Sequence, residues 1–380
     1  MATLDRHRPA SGRSGPTAGN GATSANAGPI GIKVLKASEF SEGELAQLVT
    51  DLLALKKPQI QGFLDLVELP RSGTKAEIRE RLEDALCDGE LSPDRIVRFL
   101  DEVIPWGKQH VFLFKGPSAS ISDWKKTDWV EGLLKRHRLG KYLNAALPLA
   151  LPESMKMSSI LHDGRRLRIT AIKRREWYER SPDYDESKET AEGDEVALRA
   201  FVHRVMRGLV AFEWDLMANT AFLQVSQLPT GFRYEEVAKE FFDLICAWLD
   251  IGRFAMLDLR KPIQKLHELE ENGGSETRSH GINYRTLEGR RLEGKSASPA
   301  DSLFGEPVID AALAAVRKSG VGHLGNFYWL PNGTTNPAVN PLESEVHVLI
   351  IAQHNRICFP TPNMEHTVRH VLSRIRRHSA

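Results

Sequence analysis

Helix-like and strand-like segments come in runs along this chain rather than in alternation, and that order constrains its fold more than any other feature. Four helical patterns come first. Ser41 and Glu44 form a capping box ahead of an apolar stripe of Leu45, Leu48, Leu52, Leu53 and Leu55. Lys56-Lys57-Pro58 closes that helix and can open a second, which carries Ile60, Phe63, Leu64 and Val67. A third is predicted from about Thr74 to Cys87. Ser92-Pro93 reads as N-cap and first residue of a fourth, with Ile96, Val97, Leu100, Val103 and Ile104 on one face. After Trp106 the texture changes. Strand patterns are predicted over 110–115, 165–178, 198–215 and 221–228, with Asp215 to Asn219 as the hairpin connection between the last two. Further strands are expected at 326–330 and 345–359, and helices at 129–147, 234–249, 261–270, 308–317 and 364–377. This order predicts an α+β fold, a small helical bundle followed by a mainly antiparallel sheet with packed helices.

Residues 1–29 are rich in Gly, Ser, Ala, Thr and Pro and are expected to form a disordered tail. The helical domain is then 30–107 and the α+β domain 108–380, with flexible loops near 181–195 and 272–307, the latter also expected to contain short strands. The chain's 51 Lys and Arg nearly balance its 50 Asp and Glu, for a net charge of +1. That excludes a uniformly basic coat, so any contact with a polyanion has to come from a local patch. No secretory signal and no run of about 18 apolar residues is present. The expected location is therefore cytoplasmic or nucleoid-associated, nuclear in a eukaryotic cell, not secreted and without a membrane partner. Cys87, Cys246 and Cys358 have no short spacing, which excludes a zinc ribbon and predicts three reduced, mostly buried thiols.

The segment Leu69-Pro70-Arg71-Ser72-Gly73-Thr74-Lys75 is a tight polar turn leading into a cationic helix start. Helix N-termini carry unsatisfied N–H groups and partial positive charge, and Gly73 can adopt a backbone geometry closed to other residues. Lys75 and Arg79 lie one turn apart on one helix face. The combination suits a phosphate group. From Leu69 to Leu82 the sequence resembles the SAP motif, a helix-turn-helix-like module usually associated with DNA. Leu69-Pro70, the turn Ser72 to Lys75 and the rhythm Ala76-Glu77-Ile78-Arg79-Glu80-Arg81-Leu82 carry the likeness. The resemblance implies backbone contacts from Arg71, Ser72, Gly73, Thr74, Lys75 and Arg79. The motif commonly has Gly before the Leu-Pro pair, where this chain has Glu68. Over a longer span the order of elements, with Lys115-Gly116-Pro117, Asp258-Leu259-Arg260 and Phe304-Gly305-Glu306-Pro307, resembles the centromere protein N family, which implies DNA binding by the bundle and the adjoining sheet.

A second basic stretch runs from Arg165 to Arg180. On a strand, Arg166, Arg168 and Arg174 share one face while Leu167, Ile169 and Ala171 share the other, so a cationic outer face with Trp177 and Tyr178 nearby is expected to track a phosphate backbone. Gly320-Val321-Gly322-His323-Leu324-Gly325 matches a dinucleotide fingerprint in the wrong context, after a helix and before a strand. His366 and His370 are read as helix-surface residues, and no cofactor or metal is expected. Together these readings predict a non-catalytic DNA-binding protein, a chromatin- or nucleoid-associated adaptor with low sequence specificity that could also take a protein partner through its α+β domain. Two alternatives stay open: a protein-interaction scaffold that does not bind DNA, and a metal-dependent nuclease using Asp258, Lys261, Glu343 and Glu345.

Overall fold

The computed structural model describes residues 41–145, 151–331 and 340–379, so the expected tail at 1–29 lies outside the described residues. Four helices open it: α1 (Glu42–Leu53), α2 (Lys57–Leu66), α3 (Lys75–Cys87) and α4 (Pro93–Val103). The Ser41–Glu44 capping box forms, and Thr74 with Glu77 makes a second one at α3. Leu48, Leu52, Ile60, Phe63, Leu64, Ile78, Leu82, Ile96 and Leu100 close the core of this bundle. These are the apolar positions of the helical periodicity, and burying them is what holds four short helices together.

The sheet part begins with β1 (Gln109–Lys115), followed by α5 (Ile121–Trp124) and α6 (Thr127–Arg136). The expected helix at 129–147 stops at Arg136, because Arg138 turns into the left-handed region at φ 58°. Then come β2 (Lys156–His162), β3 (Arg166–Arg180), β4 (Glu186–Glu189), β5 (Glu195–Leu198), β6 (Phe201–Asp215) and β7 (Thr220–Ser226). The β6–β7 hairpin turns as predicted. Asp215 Oδ1 accepts from the backbone N–H of Met217 and Ala218, at 2.8 Å each, and Asn219 takes φ 52°. Next are α7 (Tyr234–Ile245), β8 (Ala255–Met256), α8 (Arg260–Glu271), β9 (Thr277–Thr286), β10 (Arg291–Lys295), α9 (Pro307–Ser319), β11 (Gly320–Trp329), β12 (Val346–Ile351), β13 (Arg356–Phe359) and α10 (Glu365–Ser379).

Eleven strands form one sheet in the order β10-β9-β11-β12-β13-β1-β7-β6-β3-β2, with β8 on β1, and all its strand pairs are antiparallel. The fold is α+β. Strand β1 shows how both faces are covered. Phe112 and Phe114 point into a core with α6 and α7, whereas Val111 and Leu113 point into another with α8 and α10. Segment 277–286, where short strands among flexible loops are expected, is one ten-residue inner strand of the sheet. Its polar residues are satisfied from outside the strand: the Ser279 hydroxyl and N–H both donate to Glu270. The expected loop at 181–195 likewise contains β4 and ends on Glu195, the first residue of its partner β5. The glycines of 320–325 lie on β11, where Gly322 lets α8 approach. A Cβ there would meet Ile263 Cγ2 at 2.6 Å. The thiols correct another expectation: Cys87 and Cys246 are exposed because both sit at helix C-termini, and only Cys358 is partly covered.

Helical bundle and sheet pack as one unit. Ile104, just past α4, packs on Ile172, Leu209 and Ala211 of β3 and β6. Beside it, Arg207 Nε donates to Asp51 Oδ2 at 3.1 Å, with both side chains under one-tenth exposed.

Candidate nucleic-acid interface

The turn from Arg71 to Lys75 is open to solvent, and Gly73 has φ 123°, a conformation that favours glycine. Its polar groups are engaged with one another and with neighbouring acids. Thr74 N–H donates to Glu77 Oε2 at 2.6 Å, and this bond, with the Thr74 hydroxyl, holds the Glu77 carboxyl below its ordinary range. A Cβ at Gly73 would come within 2.9 Å of that same Oε2. Arg71 Nε meets Asp65 Oδ1 of α2 at 2.9 Å. Arg81, part of the motif's rhythm but not one of its implied contacts, reaches back to donate to the carbonyls of Pro70 (2.6 Å) and Ser72 (3.2 Å) and so fixes the turn. Its signal was its place two helical turns into α3, since helix side chains lean toward the N-terminus.

Lys75 and Arg79 point away from the turn, toward α1. Lys75 Nζ donates to Leu53 O at 2.5 Å, at the carbonyl end of α1 where a cation is favoured. Arg79 donates to Thr50 Oγ1 and to Glu83 Oε1, each at 3.2 Å. Lys56 and Lys57 follow directly in the chain and are exposed. Four of the eight Lys and Arg of residues 41–107 therefore gather where α1 ends and α2 and α3 begin, although the same stretch carries fourteen Asp and Glu. In the sequence Lys56 and Lys57 mark only the boundary between two helices. Only the tertiary fold brings them to the α3 face.

Beside this corner a cleft of about 350 Å³ lies between α1–α2 and the sheet. Leu55, Ile104, Met206 and Pro362 give it an apolar floor, and Lys56, Lys108 and Arg207 add cations. Among the described residues its one lining carboxylate, Asp51, is paired with Arg207. A smaller hollow of about 230 Å³ shares Lys56, Gln59 and Pro362 and continues to Glu343 and His366.

The basic strand differs from its expected form. Its inner face is as predicted, with Leu167, Ile169 and Ala171 fully buried. Arg168, on the other face, is covered instead of open. Its side chain is 17% exposed, 3.7 Å from Glu213 and 5.5 Å from the Trp106 ring, because the end of the helical bundle packs there. Arg174 Nε binds Glu176 Oε1 at 2.6 Å. Arg166 is exposed near Asp163, at the far end of β3, about 26 Å along the strand from Arg174. These three arginines do not form one patch.

Two acids of the nuclease reading, Asp258 and Glu345, are tied up separately, and Glu343 is exposed beside the smaller hollow. Asp258 binds Arg260 Nη2 at 2.8 Å, and that guanidinium holds its carboxyl below the usual range. Glu345 makes a two-pronged pair with Arg278. Among the described residues no three His, Cys, Asp or Glu are placed to share a metal. No helix of the described residues is long and apolar enough to cross a membrane. Set beside known proteins, the chain matches no protein-family model and no curated protein.

Proposed function

We propose that this protein is a non-catalytic nucleic-acid-binding protein that holds the phosphate backbone at the corner where α1 ends and α2 and α3 begin. The observation that carries the reading is the gathering of Lys56, Lys57, Lys75 and Arg79 at one end of an otherwise acidic bundle, with Lys108 across the cleft. Two helix N-termini open nearby and add their partial positive charge. The solvent-open turn at Gly73 and its SAP-like sequence support the same reading, with Arg71, Ser72 and Thr74 as further contacts once Asp65 yields Arg71 to a phosphate. Such contacts position a duplex without reading its bases, so selectivity among sequences is low and binding weakens steeply with salt. In a cell this describes an adaptor on chromatin or a nucleoid.

A second reading, an acidic protein partner, is favoured by the apolar floor of the cleft, which a phosphate backbone does not use. One experiment separates the two. Fluorescence anisotropy of a labelled 20-base-pair duplex with the full chain is expected to show saturable binding that unlabelled duplex reverses and polyglutamate reverses only weakly. No binding at low salt would reject the nucleic-acid reading. Equal displacement by polyglutamate would favour the protein partner.

A further inference from the structure

Strands β3 and β6 pair over fifteen residues, but their neighbours stop early. Strand β2 ends its pairing at Ile172, and β7 ends at Val210. Beyond those points the two strands form a ribbon that leads into the β4–β5 hairpin. Two-stranded ribbons are marginal in water. This one nevertheless exposes Tyr178 (71%), Tyr184 (70%) and Phe201 (56%). Its outer edge is open: the Arg174 N–H reaches Pro152 O at 2.7 Å, and no strand pairs with 176–180 on that side among the described residues.

We propose that this edge pairs with the same edge of a second copy of the chain, antiparallel about a two-fold axis at Tyr178. The proposal is independent of the nucleic-acid reading. The edge reads Glu176-Trp177-Tyr178-Glu179-Arg180, with neither proline nor lysine to blunt it. A two-fold at Tyr178 sets Glu176 of each copy opposite Arg180 of the other, on the face that carries Tyr178. The opposite edge of the ribbon, Phe201 to Met206, holds His203 and Arg204 and no acid, so self-pairing there would oppose like charges. Residues 173–208 carry eight Lys and Arg against nine Asp and Glu, which gives no net pull toward a polyanion and little repulsion between copies. Within one copy, Glu176 is bound to Arg174 and His203, and Arg180 to Asp185. These bridges are partly exposed, so exchanging partners costs little.

The test is sedimentation equilibrium of the full chain from about 1 to 200 µM, the range a short edge contact can populate. The mass should rise from 42.6 kDa toward twice that value. Arg180→Glu should hold it at the lower mass, and the exchange Glu176→Arg with Arg180→Glu should restore the rise. The exchange cannot rebuild the internal bond to Asp185, so recovery reports the contact between copies. A wild type that stays at 42.6 kDa, a dimer that survives Arg180→Glu, or an exchange that fails to restore it would each overturn the proposal.

Discussion

The helical bundle and the sheet solve burial in different ways. The bundle's core is built from aliphatic residues and Phe63 at helical spacing, and its charges stay at the surface apart from Asp51 and Asp94. The sheet buries several charged and polar groups, among them Glu213, Arg207, His267 and Arg317, and satisfies most of them from distant elements. Glu213 is 2% exposed on β6 and receives Arg369 of α10 at 2.6 and 2.9 Å, with Arg168 nearby. The bundle thus depends on local pattern, and the sheet on partners far away in sequence.

That contrast predicts where substitution hurts most. Glu213→Ala leaves Arg369 and Arg168 without their buried counter-charge, and should cost about 3–5 kcal/mol in urea unfolding. Glu83→Ala, which removes the exposed partner of Arg79, should change stability by less than about 1 kcal/mol. Equal losses would erase the distinction between the two regions.

The same contrast explains what could be read in advance. Leu48, Phe63 and Leu82 announced their helices, and Asp215 with Asn219 announced a hairpin, because their partners lie within a few residues. The role of Arg168 could not be read that way. Its strand parity was right, but its environment is made by Trp106, Glu213 and Arg369, none of them neighbours in the chain. The length and inner position of strand β9 could not be read for a similar reason, since Glu270 satisfies Ser279 from a helix. At the candidate interface Lys75 and Arg79 were visible, whereas Lys56, Lys57 and Lys108 joined them only through the packing of α1, α2 and the sheet.

Acid should expose the sheet's dependence on paired charge. Burial would raise the Glu276 carboxyl, but Arg374 and His378 bind it and hold it down at about 2 against an ordinary 4.5. A depressed carboxylate contributes fully above its unfolded value and loses that contribution as pH falls. Stability on the order of 2–3 kcal/mol should therefore disappear between about pH 4.5 and 2. Glu276→Gln should remove that part of the acid limb, and an unchanged limb would mean the pairing contributes nothing.

A smaller effect is expected in the bundle. Gly73→Ala must place a side chain at φ 123° and push Glu77 off the Thr74 N–H, at a cost of about 1–2 kcal/mol. Thermal unfolding of the variant would sharpen the comparison, since a loss above that range would give the turn more weight in the bundle than its exposure suggests.

The most direct measurement is the salt dependence of duplex binding by the full chain and by the variant Lys56→Ala, Lys57→Ala, Lys75→Ala, Arg79→Ala, with unfolding curves confirming that both are folded. Each lost phosphate contact should flatten the slope of log K against log salt by about 0.9, so the fourfold variant should lose roughly 3.6 units of slope and most of its affinity. A folded variant with the wild-type affinity and slope would contradict a cationic corner that holds nucleic acid.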